Sequence, residues 1–318
     1  MAKVQFQDAT IEINPDQSLL EALLSADKNI PNSCRSGLCQ SCLVQCTDGH
    51  IPHPAQKGLS TAEIETKHLL ACQCYPSTDM TVQLPDSGDR KIAATVVEKT
   101  QLPGQVIRLR LHAKLDYKPG QYVNLWRDES TIRSYSLASV PALEEHLEFH
   151  IRVQPEGRFS GWMQESLQVG DELQLQGPNG LCFYTAGDPA QPMLLAGIGT
   201  GLAPLWGIAR DALKQGHSGP IHLYTGARNA DNLYLHEEIA ALAAAHDNLH
   251  YQVSLLETDT PSDAKTIDQL IASQHDALNG YRVFLCGSPQ RVNKLRKLCF
   301  LKGASMQAIQ CDLFQPAA

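Results

Sequence analysis

Cys34-Arg-Ser-Gly-Leu-Cys39-Gln-Ser-Cys42, with a fourth cysteine in His68-Leu-Leu-Ala-Cys72, is the stretch on which the fold turns. Its spacing is C-x4-C-x2-C followed by a distant Cys, an arrangement that holds a 2Fe-2S cluster between four thiolates. Three thiolates must converge on a compact rhomb of iron and sulfide, so they come from one tight loop. Gly37, Ser36 and Ser41 are small enough for that loop to wrap closely and aim backbone N–H groups at sulfur. Cys34, Cys39, Cys42 and Cys72 are therefore the expected metal ligands. A zinc site would more commonly pair two C-x2-C units, and only one is present. Such a cluster moves single electrons, so the rest of the chain should supply a source and an outlet for them.

Two nearby cysteines need separate readings. Cys46 follows Cys42 in Leu43-Val44-Gln45, a stretch that reads as strand. Cys74 lies two residues after Cys72. The segment Leu70-Ala71-Cys72-Gln73-Cys74-Tyr75-Pro76 resembles the closing motif of plant-type ferredoxins, which selects Cys72 as ligand and leaves Cys74 as a small buried residue. Cys182, Cys286, Cys299 and Cys311 are scattered, and free cysteine often serves as a modest core hydrophobe.

With 318 residues the chain is too long for this unit alone, and two or three domains are expected. The N-terminal Met1-Ala-Lys-Val-Gln-Phe-Gln reads as an alternating strand and not a secretion signal, which makes the cytoplasm the default location and disulfides unexpected. The apolar stretch from Met193 to Ile208 carries four glycines and a proline and falls short of the ~18 unbroken apolar residues of a membrane span. A net charge of −8 argues against nucleic-acid binding. Residues 1–88 hold five Lys/Arg against ten Asp/Glu, so −5 of that charge sits around the cluster. An acidic face there would steer a basic partner or serve solubility alone, and both readings stay open.

The texture changes along the chain. Short alternating runs and the capping box Ser18-Leu-Leu-Glu21 open the first domain, with a helix to about Ala26. Thr81-Val-Gln-Leu84 closes it, and Pro85-Asp-Ser-Gly88-Asp reads as a linker. From about 91 to 185 the runs Ala94–Val97, Val106–Leu111, Tyr122–Leu125 and Leu147–Val153 read as strands of a barrel. From about 190 apolar strands alternate with helices, the pattern of a parallel α/β sheet. The expected fold is multidomain: an α+β ferredoxin-like (β-grasp) domain over 1–89, an all-β barrel over 90–187 and an α/β parallel-sheet domain over 188–318.

Two segments suit nucleotides. In Arg133-Ser-Tyr135-Ser136 the Arg suits a phosphate, the Tyr offers a flat face to a ring and the Ser a short hydroxyl. Gly157-Arg-Phe-Ser160 opens a short helix, where close backbone approach favours a pyrophosphate. Further on, Gly197-Ile-Gly199-Thr200-Gly201 follows a strand and opens a helix, and Cys286-Gly287-Ser288-Pro289 does the same. Both turns belong at the carboxyl ends of strands, where open α/β sheets bind ligands.

Taken in order, these motifs resemble the ferredoxin–NADP reductase superfamily, nearest to the group with an N-terminal plant-type ferredoxin domain, over essentially the whole chain. The resemblance implies that Arg133 meets the flavin phosphate, Tyr135 packs on the isoalloxazine and Ser136 lies near its N5. It implies Gly157 and Ser160 at the pyrophosphate of FAD, and His150, Ile151 and Val153 along the adenosine side. Gly197, Gly199, Thr200 and Gly201 would bracket the nicotinamide with Cys286 and Gly287, and Ser136 and Cys286 would tune the reacting atoms. Phe314 is the candidate terminal aromatic over the flavin, or else a C-terminal core residue. A lone Arg228 near the ribose, with Asn232-Leu-Tyr234 after it, favours NADH over NADPH. The implied activity is hydride transfer from NADH to FAD and single-electron release through the 2Fe-2S cluster to a terminal acceptor protein. That acceptor would be an oxygenase or hydroxylase component. Two other readings remain open: a non-oxygenase acceptor such as a deoxysugar-synthesis dehydrase, and a redox sensor.

Overall fold

The computed structural model describes residues 2–59, 61–85, 91–128, 131–257 and 264–314. The expected linker at 85–89 lies outside them after Pro85, and with it the expected first boundary between 89 and 90.

The N-terminal unit is a five-stranded sheet with one main helix. Its elements are β1 (Ala2–Phe6), β2 (Ala9–Ile13), α1 (Leu19–Ser25), β3 (Leu43–Gly49), α2 (Thr61–Glu65), β4 (His68–Leu70) and β5 (Met80–Gln83), in sheet order β2-β1-β5-β3-β4. β1 and β2 are antiparallel, whereas β1 and β5 run parallel. The capping box forms as read: Glu21 N donates to Ser18 Oγ and Ser18 N donates to Glu21 Oε2. Leu19, Leu20 and Leu23 of α1 then bury against Val4, Phe6 and Ile13. Cys74 is fully buried in this core, as its reading required.

Six antiparallel strands form the barrel: β6 (Lys91–Leu102), β7 (Val106–His112), β8 (Tyr122–Trp126), β9 (Ile132–Ser136), β10 (Leu147–Arg152) and, after helix α3 (Arg158–Glu165), β11 (Glu172–Asn179). Their order is β10-β7-β6-β11-β8-β9. Leu109, Leu111, Val123, Leu125, Phe149 and Ile151 alternate inward and fill it. β9, which carries Arg133-Ser-Tyr-Ser136, was not evident as a strand from its polar sequence.

The C-terminal unit is a parallel sheet in the order β14-β13-β12-β15-β16. It runs β12 (Met193–Ile198), α4 (Leu202–Lys214), β13 (Ile221–Ala227), α5 (His236–Ala245), β14 (Leu249–Leu255), α6 (Ile267–Gln274), β15 (Arg282–Gly287), α7 (Pro289–Leu301) and β16 (Ile309–Leu313). Strands are added outward from β12 to β14 on one side and from β15 to β16 on the other, so the carboxyl ends of β12 and β15 flank the switch point where ligands collect. One apolar cluster joins barrel residues Val106, Ala138 and Cys182 to Met193, Leu195 and Phe284 of this sheet. Barrel and sheet therefore share a core. Among the described residues no helix is long and apolar enough to cross a membrane.

Candidate functional site

The cluster loop is built from strained backbone. Arg35, Gly37 and Gln40 all have positive φ, at 49°, 80° and 56°. A side chain at Gly37 would also meet Gln73 Cγ at 2.8 Å. The reward for this geometry is a set of N–H groups aimed at sulfur: Ser36 N and Cys39 N donate to Cys34 Sγ at 3.5 and 3.2 Å, and Cys34 N to Cys39 Sγ at 3.5 Å. Gln73 Nε2 donates to Cys72 Sγ at 3.6 Å.

The four thiols fall into two pairs. A hydrogen bond from Cys39 holds the Cys34 thiol down at about 4 while Cys39 is pushed up, and Cys42 does the same for Cys72, held down at about 7. Among the described residues no three His, Cys, Asp or Glu close around a single point as one metal ion would require. Two thiol pairs, each with one member shifted toward thiolate, instead supply the four sulfur donors a 2Fe-2S cluster needs. The residues fit the cluster.

The cluster loop opens onto a cleft of about 1920 Å³ whose walls come from all three units. That is roughly twice the ~1,000 Å³ upper range of an ordinary small-molecule pocket, room for two dinucleotides. Arg133, Tyr135 and Ser136 line it from β9, and Gly157 and Ser160 from the start of α3. Gly157 precedes the helix, where a Cβ would lie 2.5 Å from Ser160 Oγ. Ser160 Oγ accepts from Gln154 N at 3.1 Å and so holds the loop ahead of α3. His150 Nδ1 is buried in the wall with no partner among the described residues, while Nε2 engages Glu148. An arginine, an aromatic face, a glycine at a helix start and an orphaned polar atom together fit a flavin dinucleotide.

The adenosine-side expectation needs a correction. His150 and Arg152 face the cleft, but Ile151 is fully buried in the barrel core and Val153 packs against that core. Strand alternation sends their side chains away, and only their main chain can reach a ligand.

The glycine-rich turn divides in the same way. Gly199 and Thr200 line the cleft. Gly197 and Gly201 serve packing: a Cβ on Gly201 would sit 2.3 Å from Cys286 O, and one on Gly197 2.6 Å from Gly201 O. The two turns can approach each other only without side chains there. Gly287 lines the cleft, but Cys286 points inward, with its sulfur 3.8 Å from that of Cys182 and its thiol pushed up by burial. Phe314 is half-buried at the cleft, its N–H donating to Gly287 O at 2.8 Å, which removes the alternative of a core residue.

Four cleft or near-cleft residues were missed in the sequence. Asp312, in β16, accepts a 2.7 Å hydrogen bond from Ser136 Oγ, and burial raises its carboxyl to about 6. Glu257 pairs with Arg228 at 2.6 Å beyond the ends of β13 and β14. Arg152 stands over Gly199. Asn124 joins the cluster loop to β9. The alternation of Leu147 to Val153 was a signal for Arg152; nothing local marked the others.

Comparison with known proteins agrees with this architecture. Residues 2–77 match the 2Fe-2S iron-sulfur cluster binding domain, 93–184 the oxidoreductase FAD-binding domain and 194–297 the oxidoreductase NAD-binding domain. The reductase component of the naphthalene 1,2-dioxygenase/salicylate 5-hydroxylase systems of a Ralstonia species is 33% identical over 310 residues, covering 94% of each chain. The corresponding naphthalene 1,2-dioxygenase component of Pseudomonas putida is 32% identical over 98% of each chain. Among solved structures, the Amycolatopsis cytochrome P450 reductase GcoB superposes with a TM-score of 0.70, 31% identity and 100% coverage of both chains.

Proposed function

We infer the role of this chain from its family: it belongs to the ferredoxin–NADP reductase superfamily, in the group whose FAD-binding and NAD-binding domains follow a 2Fe-2S domain. It is an oxidoreductase of that kind, and we propose that it is the NADH-dependent reductase component of an oxygenase or hydroxylase system. The single observation that carries this reading is the shared cleft, which the cluster loop, the Arg133–Ser136 strand and the Gly199–Thr200 turn all line. The domain division follows as 1–89, 90–187 and 188–318, and the three family matches fall inside those bounds. We assign it to the cytoplasm, where thiols stay reduced.

FAD supplies the ability to take a hydride from NADH and to release electrons singly, and the 2Fe-2S cluster the ability to relay them. The chain supplies position and polarity. Cys34, Cys39, Cys42 and Cys72 hold the cluster. Arg133 holds a flavin phosphate, Tyr135 a ring face, and Gly157 with the start of α3 the pyrophosphate. Burial keeps the Tyr135 hydroxyl neutral. Ser136 and Asp312 hold a proton between Oγ and Oδ2 at the cleft floor, and Phe314 closes the floor beside them. Cys286 acts by filling the space behind the turn and not through its thiol.

Arg228 supports NADH over NADPH. A 2′-phosphate needs a free cation, and Arg228 is already paired with Glu257, whose carboxylate would repel that phosphate and accept from a ribose hydroxyl.

An anaerobic NADH titration of the purified protein, followed by visible absorbance and low-temperature EPR with NADPH in parallel, tests the proposal. Flavin bleaching and a reduced-cluster signal with NADH are expected. Absence of either cofactor from folded, anaerobically prepared protein would overturn it. NADH-dependent product formation with candidate terminal oxygenases then identifies the acceptor.

A further inference from the structure

We propose that Asn124 is a positioning residue that docks the cluster loop onto the flavin-binding strand, through a continuous hydrogen-bonded chain from Cys39 through Asn124 to Ser134. The proposal rests on the reductase reading above and says how its two cofactor sites are held together.

Asn124 is 1% exposed and sits on β8 between Val123 and Leu125, both fully buried. A branched apolar residue is the ordinary choice for such a position, and a buried amide there is costly unless every polar end is satisfied. Both ends are satisfied, and each by a different part of the molecule. Nδ2 donates to Cys39 O at 3.0 Å, across 85 residues of chain. Oδ1 accepts from Ser134 Oγ at 2.7 Å. Ser134 is the register partner of Asn124 on β9 and lies inside Arg133-Ser-Tyr-Ser136. One side chain thus contacts the main chain of a cluster cysteine and the strand that carries the flavin residues.

A second contact repeats the arrangement. Tyr122, two residues earlier on the same face of β8, donates its hydroxyl to Leu38 O. Two consecutive carbonyls of the cluster loop are therefore pinned by two same-face residues of one barrel strand. Carbonyls 38 and 39 cannot move without breaking both bonds, so the Cys39 sulfur is held at a fixed place relative to β9. Rigid placement matters because electron transfer weakens steeply with separation, and a fully bonded, desolvated network holds its geometry better than a wet domain interface. Asn124 itself does not line the cleft.

The test uses the full-length holoenzyme with Asn124→Asp and Asn124→Leu. Asp keeps the size and the acceptor for Ser134 and, assayed at alkaline pH as the carboxylate, cannot donate to Cys39 O. Leu removes both bonds and keeps the volume. Anaerobic rapid mixing with NADH resolves bleaching of the flavin from bleaching of the cluster. We expect the flavin phase at its wild-type rate and the cluster phase slowed about tenfold in both variants, since the loop is then held through Leu38 O by Tyr122 alone and loses its bond at the cluster cysteine. Amide hydrogen exchange across residues 34–42 should rise in parallel. Wild-type cluster rates with unchanged exchange would overturn the proposal. Equal slowing of both phases would overturn it too, because that is the mark of general damage to the barrel. If the wild type reduces no flavin with NADH, the reductase reading fails instead, and the exchange measurement alone decides whether Asn124 docks the loop.

Discussion

Ser136 Oγ donates to Asp312 Oδ2 at 2.7 Å across 176 residues of chain, tying the flavin strand of the barrel to the last strand of the parallel sheet. The bond exists because β16 pairs with β15 in parallel, Cys286 opposite Asp312, and so delivers Asp312 to the carboxyl end of the sheet. Burial there raises the carboxyl to about 6. The proton on Asp312 is thus exchanged about a pH unit below neutrality, beside the residues assigned to the flavin.

The rate of NADH-driven flavin bleaching should accordingly bend near pH 6, and Asp312→Asn should remove the bend. We expect that variant to be slower by about tenfold, the equivalent of one charge-assisted hydrogen bond beside the flavin residues. Stability should move the other way. A carboxyl raised from 3.8 to about 6 binds a proton in the folded state that the unfolded chain has already lost, so it costs stability as pH rises through that window. Asp312→Asn should therefore melt at or above the wild-type temperature at pH 7 and lose that advantage at pH 4. Thermal melts at both values, beside the rapid-mixing rates, check the pair.

Arg228 and Glu257 are 74% and 52% exposed in their side chains, so their ion pair adds little to stability. Its effect should appear in coenzyme choice. Glu257→Gln frees the guanidinium and removes the repulsion of a 2′-phosphate. We expect kcat/KM for NADPH to rise by about tenfold relative to NADH, ~1.4 kcal/mol, with the melting temperature unchanged. An unaltered NADH/NADPH ratio would remove Glu257 from the specificity assignment.

The cluster ligands and the glycine turns were legible in the sequence because their chemistry is local. Three sulfurs must come from one loop, and phosphate is bound by consecutive N–H groups, so spacing alone reports them. The placing of Ile151 was incomplete for a different reason: the motif puts His150 to Val153 together at the ligand, but period-two alternation sends the Ile151 side chain to the core and leaves its main chain alone toward the cleft. Asp312, Glu257 and Asn124 could not be read, since each acquires its role from a partner many residues away. β9 escaped because Arg133, Ser134 and Ser136 give it no apolar face to recognise.

Lys99 holds the far end of the helix that begins at Gly157. Its ammonium donates to Met163 O, Gln164 O and Leu167 O at 3.1, 3.1 and 2.6 Å, satisfying carbonyls that the end of α3 leaves open. Lys99→Met keeps the aliphatic stem and loses all three bonds. We expect a loss of about 1 kcal/mol, the net worth of hydrogen bonds to part-buried carbonyls that water can partly replace. Because α3 starts at the pyrophosphate segment, FAD should also dissociate more readily. Fluorescence of released FAD during a thermal ramp reads both effects, and a variant with unchanged melting and retention would rule the cap out.

Glu148 should make the barrel sensitive to acid. Its side chain is 4% exposed, and burial alone would push the carboxyl up. The hydrogen bond and charge of His150, then those of Arg110, win and hold it at about 2. A folded value below the ordinary 4.5 means that this pairing stabilises the fold fully above that pH and is lost as pH falls toward 2. Removing the charge by Glu148→Gln takes one of two carboxylates from Arg110, which keeps Glu98, at a cost of about 2 kcal/mol at pH 7. The same change frees His150, whose other ring nitrogen is buried in the cleft wall, so FAD affinity should weaken as well. Denaturant unfolding of wild type and variant at pH 7, 4 and 2.5 checks the sign: the difference should be largest at pH 7 and shrink steadily as Glu148 takes up its proton. A difference that grows on acidification would show that the His150 and Arg110 contacts do not stabilise the carboxylate.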